Sequence, residues 1–411
     1  MRKILALNLI SLSFLFLLSC DEEKPTSNFE ADYSLTNDFT GIADIDFENL
    51  KLYPISNKVL GENHQGGSQF TPLILSSSVY LTDASGRLAK YSQSELDWVV
   101  KPEGSAYSSS KSIADNTGNL YYTVDGKSLI SYSPKGDLRW QTNLFESDNK
   151  SLGLTYISIA ILGSSELVII TAESGVLAVV DASNGDKITS FDLNAIAASH
   201  SQVETEGITL LAVPKTKNRF GATDTLKIFE LNGNGLSLMI DIPTEKMRIT
   251  RNPIATESGV FITGTVDVSD QRMGLIRKYS YDGQVIWEKQ ILNMPRGLSY
   301  AEGNLYIHSY SFGLGSSLNS ITVLDSTGKT IWNRSYKLDI LSEMIVTDKY
   351  LLMHASDGEA YGVYRILKEN GDIRDYVSVS DKASLHYEFT IGPAGEILMA
   401  RADSLSYGYI F

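Results

Sequence analysis

The sequence predicts an all-β fold, a β-propeller of eight four-stranded blades closed by an N-terminal strand, with seven blades as the alternative. Three observations carry this. The chain consists of short β-rich runs separated by turns containing Asp or Gly, and it shows no sustained helical period. A glycine followed four positions later by a bulky residue recurs along it, at spacings of about 40–50 residues that match propeller blades. The last strands of the chain also begin a further blade that lacks its final strand.

The elements follow in order. Ser78–Tyr91 is a strand, a turn and a strand leading to Trp98. Gly118–Gly126 leads through Gly136 to Trp140, and Leu167–Gly185 leads to Phe191, with Thr189 at the anchor position. Next, Gly235 is followed by Met239, Gly283 by Trp287, Gly328 by Trp332, and Gly371 by Asp375 and Tyr376. Glu396–Arg401 and Ser406–Phe411 then make one more strand pair. An unpaired sheet edge invites aggregation, so the ring is expected to close. Phe47–Ile55 has the composition and length for the missing strand. Pro54 lacks an amide hydrogen, which an outer edge strand tolerates.

The N-terminus reads differently. Arg2 and Lys3 precede an apolar run, Ile4–Leu18, broken only by Asn8, Ser11 and Ser13. At about 15 residues it is shorter than the ~20 a spanning helix needs, so it is read as a signal segment. The run ends in Leu17-Leu18-Ser19-Cys20, which resembles a bacterial lipobox. Residues 1–19 are therefore expected to be removed and Cys20 to be acylated, palmitate being a typical chain. Two acyl chains anchor stably where one is marginal. Residues 20–45 are polar and aperiodic, a flexible tether, and 46–411 form a single propeller domain. The acidic Asp21-Glu22-Glu23 is open to three readings: a surface-export signal, an inner-membrane retention signal, or a plain solvated linker.

Charge excludes one class of partner. The chain carries 35 basic and 49 acidic residues, a net −14, and loss of Arg2 and Lys3 takes it to −16. Such a chain is repelled by nucleic acid. Cys20 is the only cysteine, so neither a disulfide nor a cysteine-based metal site is available.

Two repeats, Gly175–Gly185 and Val323–Trp332, resemble those of the pyrroloquinoline-quinone (PQQ) repeat superfamily: an apolar strand, Gly-x-Leu-x-Ala-x-Asp, then Thr-Gly and a Trp-tipped strand. The resemblance covers nearly the whole mature chain, although blades 3, 4 and 7 lack the tryptophan. It implies that Trp98, Trp140, Trp287 and Trp332, all four tryptophans present, pack between adjacent blades. WD40 repeats fit less well, because no Gly-His opens the repeats. The quinone-dependent dehydrogenases of the superfamily resemble one another in a catalytic aspartate, a calcium site and often a vicinal disulfide. This chain cannot form that disulfide, and no carboxylate spacing singles out a base. No cofactor, metal or catalytic residue is expected. His308 and His354 lie one repeat apart, in the strand column that elsewhere holds Thr82, Thr123, Thr171 and Thr263. Two ligands are too few for a metal, so they are read as structural. His64, His200 and His386 show no constellation.

One irregularity points to a site. The connection between the second and third strands is tight in blades 1 to 3 but is expected to be long in blades 4, 5 and 6, at Pro214–Asp224, Gly264–Gly274 and Ser309–Ser317. In an antiparallel blade it emerges on the same face as the link to the next blade, so the three would form one rim. They carry Lys215, Lys217 and Met273 together with Arg219, Phe220, Arg272, Tyr310 and Phe312, the candidate partner-binding residues. A basic, aromatic rim on an acidic protein suits recognition; neutral drift of surface loops is the bland alternative. The expected function is a non-enzymatic, lipid-anchored scaffold binding envelope proteins, most similar in layout to the lipoprotein propeller subunit of the outer-membrane barrel-assembly machinery. That layout implies the outer membrane, in its periplasmic or surface-facing leaflet. A surface lipoprotein binding glycan or another nutrient, and a quinone-dependent oxidoreductase, are the alternatives.

Overall fold

A computed structural model describes residues 52–55, 72–75, 78–83, 85–92, 95–144, 155–172, 174–193, 199–205, 207–215, 225–250, 252–268, 271–311, 319–340, 342–380, 387–391, 397–401 and 407–410. Every regular element among them is a β-strand, and the strands pair into eight antiparallel sheets. Seven are blades made from one stretch of chain each, starting at Leu73, Ile113, Thr155, Ser201, Arg248, Met294 and Asp339. Within each blade the strands run outward in chain order. In blades 5 and 7 the innermost strand is split in two, as Arg248–Ile249 with Ile254–Thr256 and Asp339–Ile340 with Ile345–Val346.

The seven-blade alternative is the count of blades built from one stretch of chain. The eight-blade reading adds the sheet that both ends make together. In that sheet Leu52–Ile55 pairs with Tyr407–Ile410, which is followed inward by Ile397–Arg401 and Tyr387–Ile391. The strand at the N-terminal end is shorter than Phe47–Ile55, and Pro54, opposite Gly408, lies on the sheet's outer edge. Tyr387–Ile391 contacts the innermost strand of blade 1, Leu73–Leu75.

Hydrophobicity explains why the blades stand side by side. Second and third strands are covered on both faces, so Leu120–Val124 and Ser128–Tyr132 are buried throughout, whereas the outer strand Val285–Ile291 alternates. The apolar clusters accordingly span pairs of blades. Tyr121 and Leu129 of blade 2 join Val168, Ile170 and Ala178 of blade 3, and Phe261 and Ile276 of blade 5 join Leu305 and Ile307 of blade 6. Each such buried side chain stabilises by about 1.5–3 kcal/mol, and only the next blade can supply the cover.

The tryptophans sit in these seams. The indole N–H of Trp98 donates to the carbonyl of Pro134, Trp140 to Ala182, Trp287 to Ser326 and Trp332 to Lys368, each in the turn of the following blade. Those turns contain Gly136, Gly185, Gly328 and Gly371, all at positive φ, where a Cβ would meet the indole at 2.7–3.0 Å. In every blade the third and outer strands slip register by one residue next to this anchor. The bulge adds twist and turns the extra residue outward, which is why Ile188, Met239, Ile286 and Ile331 are exposed aliphatics. Blade 4 corrects one assignment. Its turn is tighter, with Gly235 already paired to Asn232, so Met239 is the bulge residue and Ile240 the anchor. Ile240 packs where a Cβ on Gly283 of blade 5 would lie, 2.7 Å away.

Candidate functional site

The connection expected as a loop at Gly264–Gly274 is strand. Gly259–Val268 and Gln271–Tyr279 stay paired out to Val268 opposite Gln271. The outer strand follows only as far as Gly274, and the inner one only to Thr265. Val266–Val268 and Gln271–Met273 therefore project past both flanking strands as a hairpin arm whose edges pair with no further strand among the described residues. Two glycines let the neighbouring chain close around its root. A Cβ on Gly264 would lie 2.2 Å from the carbonyl oxygen of Arg248, and one on Gly274 would lie 2.2 Å from that of Asn293 and 3.0 Å from Pro295 Cδ. The link into blade 6 thus crosses the root of the arm.

That crossing sets out a group of exposed side chains. Leu292, on the link, is 82% exposed, and Val268 at the tip of the arm is 38% exposed. Asp267 is bridged by Arg272 Nε at 3.3 Å, its cross-strand partner, and by Arg248 Nη2 at 3.5 Å. On the innermost strand of blade 6 the register slips between Pro295 and Gly297, leaving Arg296 as an exposed bulge residue. Bulges re-aim side chains. Here the Arg296 guanidinium lies 5.0 Å from the centre of the Tyr310 ring. Among the described residues no carboxylate lies within ion-pair distance of it.

Of the candidate residues, Arg272 is therefore on a strand and paired with Asp267, and Tyr310 ends a strand and underlies Arg296. Arg219, Phe220 and Phe312, with Lys217, lie outside the described residues, as does Cys20. The sequence reading missed Leu292, Arg248 and Arg296. The signal for the last was Pro295-Arg296-Gly297 inside a strand, because proline and glycine there mark a bulge.

Towards the axis, polar side chains close the seams. Gln202 Nε2 donates to the carbonyl of Ile159 at 2.5 Å, which leaves Oε1 to accept from Ser158 Oγ at 2.7 Å. The Ser158 hydroxyl proton is engaged in that bond, so at 2.6 Å its oxygen accepts from His200 Nε2, and Nδ1 accepts from Thr171 Oγ1 at 2.9 Å. Burial holds this neutral imidazole down to about 3. With Nε2 protonated, His200 cannot take a proton from Ser158, so the pair is no activated nucleophile. His308 Nε2 bonds Asn319 Oδ1 at 2.9 Å, while His354 packs on Tyr361, so the two column histidines serve separate contacts. Among the described residues no three His, Cys, Asp or Glu side chains group to hold a metal.

No family model matches the sequence, and no curated protein matches it. The fold is similar to the crystal structure of BamB from Moraxella catarrhalis, with a TM-score of 0.55 and 14% identity over 84% of this chain and 94% of that one. It is also similar to the quinohemoprotein alcohol dehydrogenase from Comamonas testosteroni, with a TM-score of 0.58 and 9% identity over 88% of this chain and 76% of that one. The Dos1 propeller gives a TM-score of 0.63 and 12% identity over 88% and 95% of the two chains. The chain is a β-propeller, and at these identities its likeness to PQQ-type and BamB-like propellers is one of fold. Function has to be argued from the site. Around His200 and His308 the described polar groups are hydroxyls, amides and imidazoles bonded to one another.

Proposed function

We propose that this protein is a lipid-anchored, non-enzymatic propeller that holds a partner protein in the bacterial cell envelope, at the outer membrane. The observation that carries this reading is the projecting arm of blade 5 with Leu292 standing 82% exposed beside it. A large apolar side chain so exposed invites cover by a partner, and arginine and tyrosine, as at Arg272, Arg296 and Tyr310, are residue types enriched in binding hot spots. Arg219, Phe220 and Phe312 belong to the same proposal. The BamB-like fold and the layout of lipobox, tether and propeller support it.

Changing Val268 and Leu292 together to Asp is expected to leave the fold intact, since exposed substitutions usually cost within ~0.5 kcal/mol. Capture of envelope proteins on the immobilised chain should fall by roughly tenfold or more. Undiminished capture would move the site elsewhere on the ring. The anchor has its own test. Cys20→Ala should shift the protein from the membrane to the soluble fraction and abolish labelling by a palmitate analogue, whereas a wild type that takes up no label contradicts the anchor.

A further inference from the structure

We infer that the blade 5–6 rim receives an acidic peptide segment, with Arg296 taking a carboxylate and Leu292 an apolar side chain next to it. This rests on the scaffold reading and names the chemistry of the partner. A guanidinium set over an aromatic ring keeps its N–H donors for another partner, because the ring face offers it no lone-pair acceptor. Those donors match the two oxygens of a carboxylate. Arg272 and Arg248 share Asp267, but Arg296 meets no carboxylate among the described residues, although the chain carries 49 acidic residues against 35 basic. The bulge keeps Arg296 out of the ladder, and the preceding Pro295 passes so near Gly274 that a Cβ there would lie 3.0 Å from Pro295 Cδ, which places Arg296 beside the arm.

Local charge agrees. Among the described ion pairs in this patch of the rim, Arg248 and Arg272 share the one carboxylate of Asp267, and Arg296 adds a further positive charge, on a chain of −14. A ligand drawn to that patch is anionic where it touches, and the exposed Leu292 requires an apolar group alongside. An acidic peptide with interspersed leucine or valine supplies both. A phospholipid surface spreads its charge over an area, and the acidic remainder of the protein opposes it.

The test measures binding of the full-length protein to a panel of short leucine-containing peptides, each made in an Asp/Glu form and an Asn/Gln form. The acidic forms are expected to bind more tightly, and more weakly as salt rises. Arg296→Gln should reduce their affinity roughly tenfold, and Arg296→Lys should restore only part, because lysine is a point charge without the paired donors. Leu292→Ser should weaken both forms alike. Equal binding of the two forms, an unaffected Arg296→Gln variant, or binding only to vesicles of anionic phospholipid would overturn the inference. Envelope capture separates this from the scaffold reading. A wild-type chain that captures a partner which Arg296→Gln captures equally keeps the scaffold and loses the carboxylate contact.

Discussion

Truncating the chain after Ser406 should destabilise the whole propeller. The strand removed, Tyr407–Ile410, lies between Leu52–Ile55 and Ile397–Arg401 and is the only strand paired with Leu52–Ile55 among the described residues. Without it the N-terminal strand has nothing to pair with, and the sheet beside blade 1 loses its outer half. An opened ring exposes sheet edges, and its blades are supported by neighbours in a row rather than in a circle. The expected loss is of the order of 4–5 kcal/mol, the range reached when a structural unit is removed and not when one contact is trimmed. Urea unfolding followed by tryptophan emission should change from one cooperative transition to a broad or earlier one. A midpoint and slope equal to those of the intact chain would show that the ring does not depend on this strand. The register has a separate check. Tyr53 pairs with Tyr409, and opposed residues in an antiparallel pair lie within disulfide reach. A Tyr53→Cys, Tyr409→Cys variant should therefore cross-link on oxidation, while Tyr53→Cys with Gly408→Cys should cross-link less.

Most of this architecture was legible because five of the seven blades repeat one physical solution, an indole or aliphatic wedge closed by a glycine turn of the next blade. The glycine and its bulky partner are both visible in sequence, and their contact, Gly328 on Trp287 for example, is what preserves the spacing. Blade 4 misled by one residue because a tighter turn shifts the bulge onto Met239, and apolar residues occur on both sides of it. The arm of blade 5 was harder to see. Gly264, Asp267, Asp270 and Gly274 have turn composition, yet the two glycines serve close backbone approach in the middle of strands. The site was legible only as a region. Arg272 and Tyr310 drew notice as members of expected long connections, and both lie on strands. Arg296 and Leu292 matter through a bulge and a chain crossing, and neither leaves more than a proline or glycine in the sequence.

Acid should weaken the fold well before the carboxylates titrate. Burial holds His200 at about 3 and His354 at about 4, both far below the ordinary 6.5. His200 is locked neutral by its bonds to Ser158 and Thr171. In the unfolded chain both histidines take up a proton as pH falls through about 6.5, and in the folded chain neither does so until about 3–4. The unfolded state therefore binds more protons across that window. The stability the two contribute is complete above about pH 6.5 and is lost as pH falls toward 4. At about pH 5 each accounts for roughly 2 kcal/mol, so the pair removes about 4 kcal/mol of a total that is commonly 5–15. Urea unfolding of the wild type at about pH 7.5 and 5 should show this drop. His200→Gln should be less stable at neutral pH, where a buried hydrogen bond is lost, yet its stability should fall with acid by about one proton less. Parallel pH profiles for wild type and variant would mean that His200 is not the group that titrates on unfolding.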